Sequence, residues 1–359
     1  MPRTNKSALR KVGLPLLIVA FTVAGVFPGA LLILRINSNE YWTNIAPELV
    51  RMDSSVLDNM IYDVEDNYYA VYSILVIRNG FIVKEWYDIF ADQDYLFRLY
   101  SVSKSVTSIL VGIALDKGYI SNLDELVLDY FPDKDIKNLD PQKESITIEH
   151  LLTMTTGLNW PEYYPYEHPQ NPYNDWKASE DHVEFVLNRT MIAAPGETFN
   201  YNTGATHLLS AIIQRATNMS TVDFAEQYLF APLGIEHSNW LVDPQGVACG
   251  GDGLFLKTRD MAKLGYLFLK GGKWKGRQII SESWVRTSTS SLINVDLNTG
   301  YGYQWWVDPY SYRYRALGYG GQQINIYYTR DLLIMFTGMN LNFDFSSYLI
   351  YNYILPALL

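Results

Sequence analysis

The chain has 359 residues, 48% of them hydrophobic and 18% charged, with a formal net charge of −10. That is enough apolar chain for a sizeable core in one or two domains, and the acidic balance, with no basic patch, argues against a nucleic-acid partner. A single cysteine, Cys249, excludes an internal disulfide and is expected as a small buried residue.

Arg3, Lys6, Arg10 and Lys11 precede an uncharged run over 14–34, "LPLLIVAFTVAGVFPGALLIL". The run is about the length that crosses a bilayer as a helix and is longer than the apolar core of a cleaved signal. The positive-inside rule makes residues 1–35 a cytoplasmic stub and single-pass transmembrane anchor, with 36–359 as the domain outside the cytoplasm. The competing reading is a cleaved signal peptide and a secreted protein, although no clear small-x-small site follows the run.

Residues 37–66 read as a connector leading into a short helix. A hairpin follows: "VYSILVIR", then Asn79-Gly80, then "FIVKEWYD", since Asn-Gly between β-rich runs favours a tight turn. Next comes Ser101-Val102-Ser103-Lys104, opening a helix over 105–117 with Val106, Ile109, Leu110 and Ile113 on one apolar face and Gly118 as its stop. Residues three apart share a helix face, so the Lys104 amine stands one turn above the Ser101 hydroxyl. A serine attacks a carbonyl only when a neighbouring base takes its proton, and lysine serves once burial or nearby charge lowers its pKa. The same four residues also fit a helix-capping serine and a solvated lysine.

Residues 123–245 read as helices and loops. Within them 159–176, "NWPEYYPYEHPQNPYNDW", is too irregular for a regular element and is expected as a loop over a cleft. Its Trp160 and Trp176 fit cleft lining and packing equally. A helix over 258–270 ends at Gly271-Gly272. Strand patterns return at "YGYQWWVDP" from Tyr301, "INIYYT" from Ile324 and "LLIMFTG" from Leu332, and 346–359 suits a helix on that sheet, too short for a span. Strands at both ends with helices between predict an α+β domain, one sheet with a helical lobe inserted. His150, His168, His182, His207 and His237 lack metal-ligand spacing and are expected to be structural. No metal and no cofactor are expected.

Five stretches, "RLYSVSKSVTS", "ITIEHLLTMTTGL", "PGETFNYNTGATHLLSAII", "GGDGLFLKTRDMAKLG" and "ALGYGGQQINIYYT", occur in the order seen in the serine β-lactamase-like hydrolases. Over about residues 70–340 the chain resembles the branch with class C β-lactamases, D-alanyl-D-alanine carboxypeptidases, esterases and 6-aminohexanoate-dimer hydrolases. "GYLFLKGGKWKGRQII" and "YGYQWWV" look most like the dimer-hydrolase members. The resemblance implies a β-lactamase/transpeptidase-like fold, an antiparallel sheet flanked by helices with an inserted, mainly helical lobe. It implies Ser101 as nucleophile, with Lys104 and Tyr201 moving protons. A Tyr201 held near Lys104 is expected to have its pKa lowered by the cation. Thr203 stands at the family's asparagine, with a shorter reach to substrate. Tyr319-Gly320-Gly321 stands at the third motif, on an edge strand against the substrate, and the amides of Ser101 and Gln322 are the implied oxyanion donors.

At Tyr319 the family usually has a cationic Lys or His that helps hold a substrate carboxylate. A tyrosine offers a hydrogen bond and a ring but no charge, which favours a small-molecule ester or amide substrate over a β-lactam, with Arg313 or Arg315 as candidate replacements. The expected activity is a serine hydrolase acting through a Ser101 acyl-enzyme outside the cytoplasm on an ester, amide or lactam. Penicillin-binding, D,D-peptidase or β-lactamase activity is the alternative within the same chemistry. The changes at Thr203 and Tyr319 also fit an inactive binding or sensing ectodomain.

Overall fold

The hairpin forms where Asn79-Gly80 directs it: Val71–Arg78 (β1) returns as Phe81–Tyr87 (β2). Both turn residues have positive φ, 50° and 82°, which asparagine and glycine tolerate best. The computed structural model describes residues 42–67, 70–339, 341 and 344–359. The apolar run 14–34, expected to span a membrane, lies outside them. Among the described residues no helix is long and apolar enough to cross a membrane.

In chain order the main elements are helix Ser54–Asn67 (α1), the β1–β2 hairpin, helix Val102–Asp116 (α2), helix Thr203–Thr217 (α3) and helix Thr258–Leu269 (α4). Six further strands of the main sheet follow: Ile293–Asn294 (β3), Gly300–Tyr301 (β4), Trp306–Asp308 (β5), Arg313–Gly318 (β6), Gln322–Tyr327 (β7) and Leu332–Gly338 (β8). Helix Asp344–Leu349 (α5) and a further turn to Ile354 close the domain. The eight strands form one antiparallel sheet in the order β2-β1-β8-β7-β6-β5-β4-β3. Strands from the two ends of the domain are neighbours, with Val71 opposite Gly338 and Arg78 opposite Leu332.

Both faces of this sheet are covered, which explains why β1 and β8 are nearly continuous apolar runs instead of alternating ones. Leu57, Met60 and Ile61 of α1 and Leu349 and Ile354 near the C-terminus cluster with Ile74, Val76, Ile334 and Phe336. Each such fully buried side chain contributes about 1.5–3 kcal/mol. On the opposite face lie α2 and α4. The sequence pattern gives α2 a single apolar face, yet thirteen of its residues are buried. It is the central helix, packed between the sheet and α3, and burial all round is what such a position requires.

"YGYQWWVDP" predicts one strand, and the structure splits it into β4 and β5. The cause is Gln304, which takes a left-handed φ of 65° and turns its side chain inward. Its amide donates to the carbonyls of Leu151 and Leu152 at 3.0 and 2.9 Å and accepts from Thr206 Oγ1 at 2.7 Å, tying sheet to lobe. Trp160 and Trp176 are fully buried, their rings edge to face at 5.8 Å. They pack and do not line a cleft.

The edge expected at the third motif lies inside the sheet. β6 pairs with β7 along its length, but with β5 only over 313–315, so its last residues have an open side. There Gly318 passes close to the chain before Ser101: a Cβ on it would stand 2.3 Å from the Leu99 carbonyl oxygen. Gly318→Ala is expected to lower stability by about 1–3 kcal/mol, as overpacking does. An unchanged urea midpoint would contradict this close approach.

Candidate active site

Ser101 stands at the head of α2 with φ −67° and ψ −8°, and its side chain makes no capping bond. The capping alternative therefore does not hold. Tyr100, just before it, has a φ of 46°, a left-handed conformation that costs a non-glycine residue energy and often marks a site. One turn on, Lys104 donates to Ser101 Oγ, Thr203 Oγ1 and the Gly251 carbonyl, each at 2.9 Å. These acceptors match the three donors of an ammonium group. Lys104 is 1% exposed, and burial lowers its pKa to about 8, while the charges of Glu162 and Asp252 pull the other way.

Tyr201, just ahead of α3, lines the same cleft as Ser101. Lys104 Nζ lies over the face of its ring, 4.8 Å from the centroid. Proximity to the cation is expected to lower this tyrosine's pKa. The structure gives the opposite direction: burial, then the charge of Glu162, push it well above the usual phenol range, and the Ser101 hydroxyl only partly offsets them. Tyr201 is thus a neutral phenol, a donor rather than a phenolate base.

Thr203, expected at the substrate, is 1% exposed beneath the site. It accepts from Lys104 and donates to Glu162 Oε1 at 2.5 Å, and its backbone N–H donates to Glu162 Oε2 at 2.8 Å. Trp160 Nε1 holds the same carboxylate at 2.7 Å. Glu162 is a residue that the sequence reading misses. Its only signal is its place as the first of three acidic residues in the irregular 159–176 loop, two positions after a tryptophan. Asp252 is missed likewise: Arg98 Nη2 at 2.9 Å and a short bond from the Tyr173 hydroxyl hold its carboxylate, which fixes the neighbouring Gly251 carbonyl under Lys104.

The Ser101 hydroxyl opens into a cleft of about 630 Å³ lined by Tyr163, Tyr166, Tyr201, Trp306, Gly318 and Tyr319, among others. The 159–176 loop does cover a cleft, through its tyrosines rather than its tryptophans. Gly320 and Gly321 have φ of 80° and 97° and form the β6–β7 turn, off the cleft. Gln322, expected as an oxyanion donor, starts β7, is 2% exposed and turns its amide to the Gly338 carbonyl at 2.5 Å. Tyr319 lines the cleft together with Ser101. Neither the Ser101 nor the Tyr319 amide donates to a backbone carbonyl among the described residues. Arg313 and Arg315, expected to reach a substrate carboxylate, instead bond Asp308 at 2.7 and 3.2 Å.

A profile of the family described as Beta-lactamase matches residues 65–341. The chain belongs to the beta-lactamase family. Within it, the chain is 26% identical over 225 residues to a 6-aminohexanoate-dimer hydrolase of Paenarthrobacter ureafaciens, covering 60% of this chain and 56% of that one. It is 27% identical over 153 residues to esterase EstB of Burkholderia gladioli, covering 40% and 38%. The chain therefore spans from about two fifths to a little over half the length of these relatives. Among solved structures, EstCE1, a hydrolase with promiscuous acyltransferase activity, matches at a TM-score of 0.70 and 15% identity, over 84% of this chain and 98% of that one; that likeness concerns the fold. The beta-lactamase-family fold and its antiparallel sheet are as the sequence predicts. Ser101, Tyr201 and Tyr319 line one cleft, Lys104 and Thr203 lie buried beneath it, and Gly320, Gly321 and Gln322 lie off it.

Proposed function

We propose that this chain is a serine hydrolase that forms an acyl-enzyme at Ser101 on an uncharged or cationic ester or amide. The contact that carries the reading is the 2.9 Å bond between Lys104 Nζ and a Ser101 hydroxyl that caps nothing. In the free-base form Lys104 accepts the Ser101 proton as Oγ bonds the carbonyl carbon. The amides of Ser101 and Tyr319 receive the developing oxyanion, a role in which one donor contributes about 10²–10³ in rate. The Tyr201 phenol hands its proton to the leaving group and regains one from Lys104. Water then attacks the acyl ester, and the same two groups carry its proton.

The cleft supports the substrate class. No lysine or arginine is among the described residues lining it, whereas Glu162 and Glu167 are. A carboxylate such as that of a β-lactam would lose water there without gaining a cationic partner. Hydrolysis of p-nitrophenyl esters and anilides, measured beside a chromogenic cephalosporin, tests this. Turnover of the cephalosporin at a rate matching the esters would overturn the substrate assignment.

The lysine role has a pH signature. Lys104 is ammonium below about 8 and cannot accept a proton, so kcat/KM is expected to rise with pH through that value. Glu162 holds this pKa up. Glu162→Gln removes the charge and is expected to move the rising limb to lower pH, and a limb that stays or moves upward would exclude Lys104 as the titrating base.

We also propose that the domain works outside the cytoplasm, tethered by the run at 14–34. In cells producing the full chain with a C-terminal tag, external protease should remove the tag. Protection until the cells are lysed would refute the orientation.

A further inference from the structure

Behind the cleft, three side chains far apart in sequence converge. One Nδ1 or Nε2 atom from each of His182 and His207 and the Cys249 Sγ lie within 4.8 Å of one another. The three residues are 2%, 0% and 1% exposed. We propose that His182, His207 and Cys249 form a binding site for one transition-metal ion of zinc-like softness, held through the two Nδ1 atoms and the sulfur.

The hydrogen bonds on the far side of each ring carry the argument. His207 Nε2 lies 2.9 Å from Asp243 Oδ2, and that carboxylate is itself fixed by the amides of Gln245 and Val247, both at 2.8 Å. His182 Nε2 lies 3.4 Å from the Lys177 carbonyl. Carboxylate and carbonyl oxygens only accept, so each ring carries its proton on Nε2 and presents a lone pair at Nδ1. Both Nδ1 atoms are buried without a hydrogen-bond partner among the described residues. Two unpartnered buried acceptors beside a thiol are costly, and a cation satisfies all three. An imidazole whose second nitrogen is held by a carboxylate or a carbonyl is the arrangement that metal-ligating histidines adopt.

The surroundings fit an ion as well. Trp176 walls the site, its ring centroid 4.9 Å from that of His182 and 5.6 Å from that of His207. The Cys249 backbone is anchored on both sides, its N–H donating to the Leu241 carbonyl at 2.7 Å and its carbonyl accepting from Trp240 Nε1 at 3.0 Å. Asp243 and a Cys249 thiolate together balance a divalent charge, the thiol proton leaving to solvent as the ion binds. Lys177 Nζ, 3.3 Å from the sulfur and 3.9 Å from Asp252 Oδ1, has an alternative anion to move toward. Zinc–nitrogen and zinc–sulfur bonds of about 2.0 and 2.3 Å draw the three atoms together by about an ångström.

Cobalt(II) titration of the chelator-stripped full chain tests the site without reference to activity. One equivalent is expected to produce a near-ultraviolet thiolate-to-cobalt band with visible d–d bands, and excess Zn²⁺ should erase both. Cys249 is the sole cysteine, so a saturating thiolate band in the wild-type chain identifies its sulfur, whatever the folding of any variant. His207→Ala is expected to lose the band, and Ser101→Ala to keep it, which separates this site from the hydrolase chemistry. No thiolate band at one equivalent, or a band undiminished in His207→Ala, overturns the proposal.

Discussion

Ser101→Ala is expected to lower kcat/KM for the best ester by at least about 10⁴-fold and to abolish labelling by a fluorophosphonate. Losses of this order follow when the nucleophile of an interdependent set is removed. The change is conservative for the fold. The hydroxyl makes no cap bond, and its partners keep other contacts: Lys104 still donates to Thr203 and Gly251, and Tyr201 still stacks on Trp306 at 5.8 Å. Thermal stability should therefore be nearly unchanged. Mass-spectrometric mapping of the adduct decides the matter. Labelling that persists in the variant, or maps to another serine, would remove Ser101 from the nucleophile's role.

Lys104→Met should be almost as damaging, with acylation slowed by about 10²–10⁴-fold. Methionine nearly matches the stem in length, and the site no longer has to bury an amine whose pKa has fallen to about 8. What is lost is the proton acceptor. Lys104→Arg separates this role from that of charge alone: guanidinium stays protonated at any working pH and should not rescue the rate. Because Ser101 and Lys104 act as a unit, the Ser101→Ala/Lys104→Met double variant should be no slower than Ser101→Ala alone. A double variant slower by the product of the single effects would mean that the two residues work independently.

What was legible in the sequence was chemistry confined to a few neighbouring residues. Asn79-Gly80 fixes its turn by backbone preference, and Ser101 and Lys104 meet because one helical turn brings them together. The motif around Tyr201 points to the residue but not to the direction of its pKa, because burial outweighs a cation that faces the ring and not the hydroxyl. The glycines at the third motif fall in two settings, Gly318 on the cleft and Gly320 and Gly321 in the turn. Gly318, Gly320 and Gly321 crowd one hairpin, and nothing in their order says that the strand ends at the first while the other two turn. Glu162 reaches Thr203 across 41 positions from a loop with no period. His182, His207 and Cys249 share no element, so no spacing rule could have joined them.

The pairing of β1 with β8 also sets the order in which the molecule can be made. Ser73 and Thr337 share a hydrogen bond of 2.6 Å although 264 positions separate them. Until the last strand has left the ribosome, β1 has only its hairpin partner, and the middle of the sheet is an open edge. At a synthesis rate of about 5–20 residues per second, that edge stays uncovered for roughly 10–50 s. Such long-range closure is intrinsically slow. During this interval the nascent chain is open to chaperones and to aggregation, and a stop codon before Leu332 would leave β1 with its hairpin partner alone and the domain without the centre of its sheet.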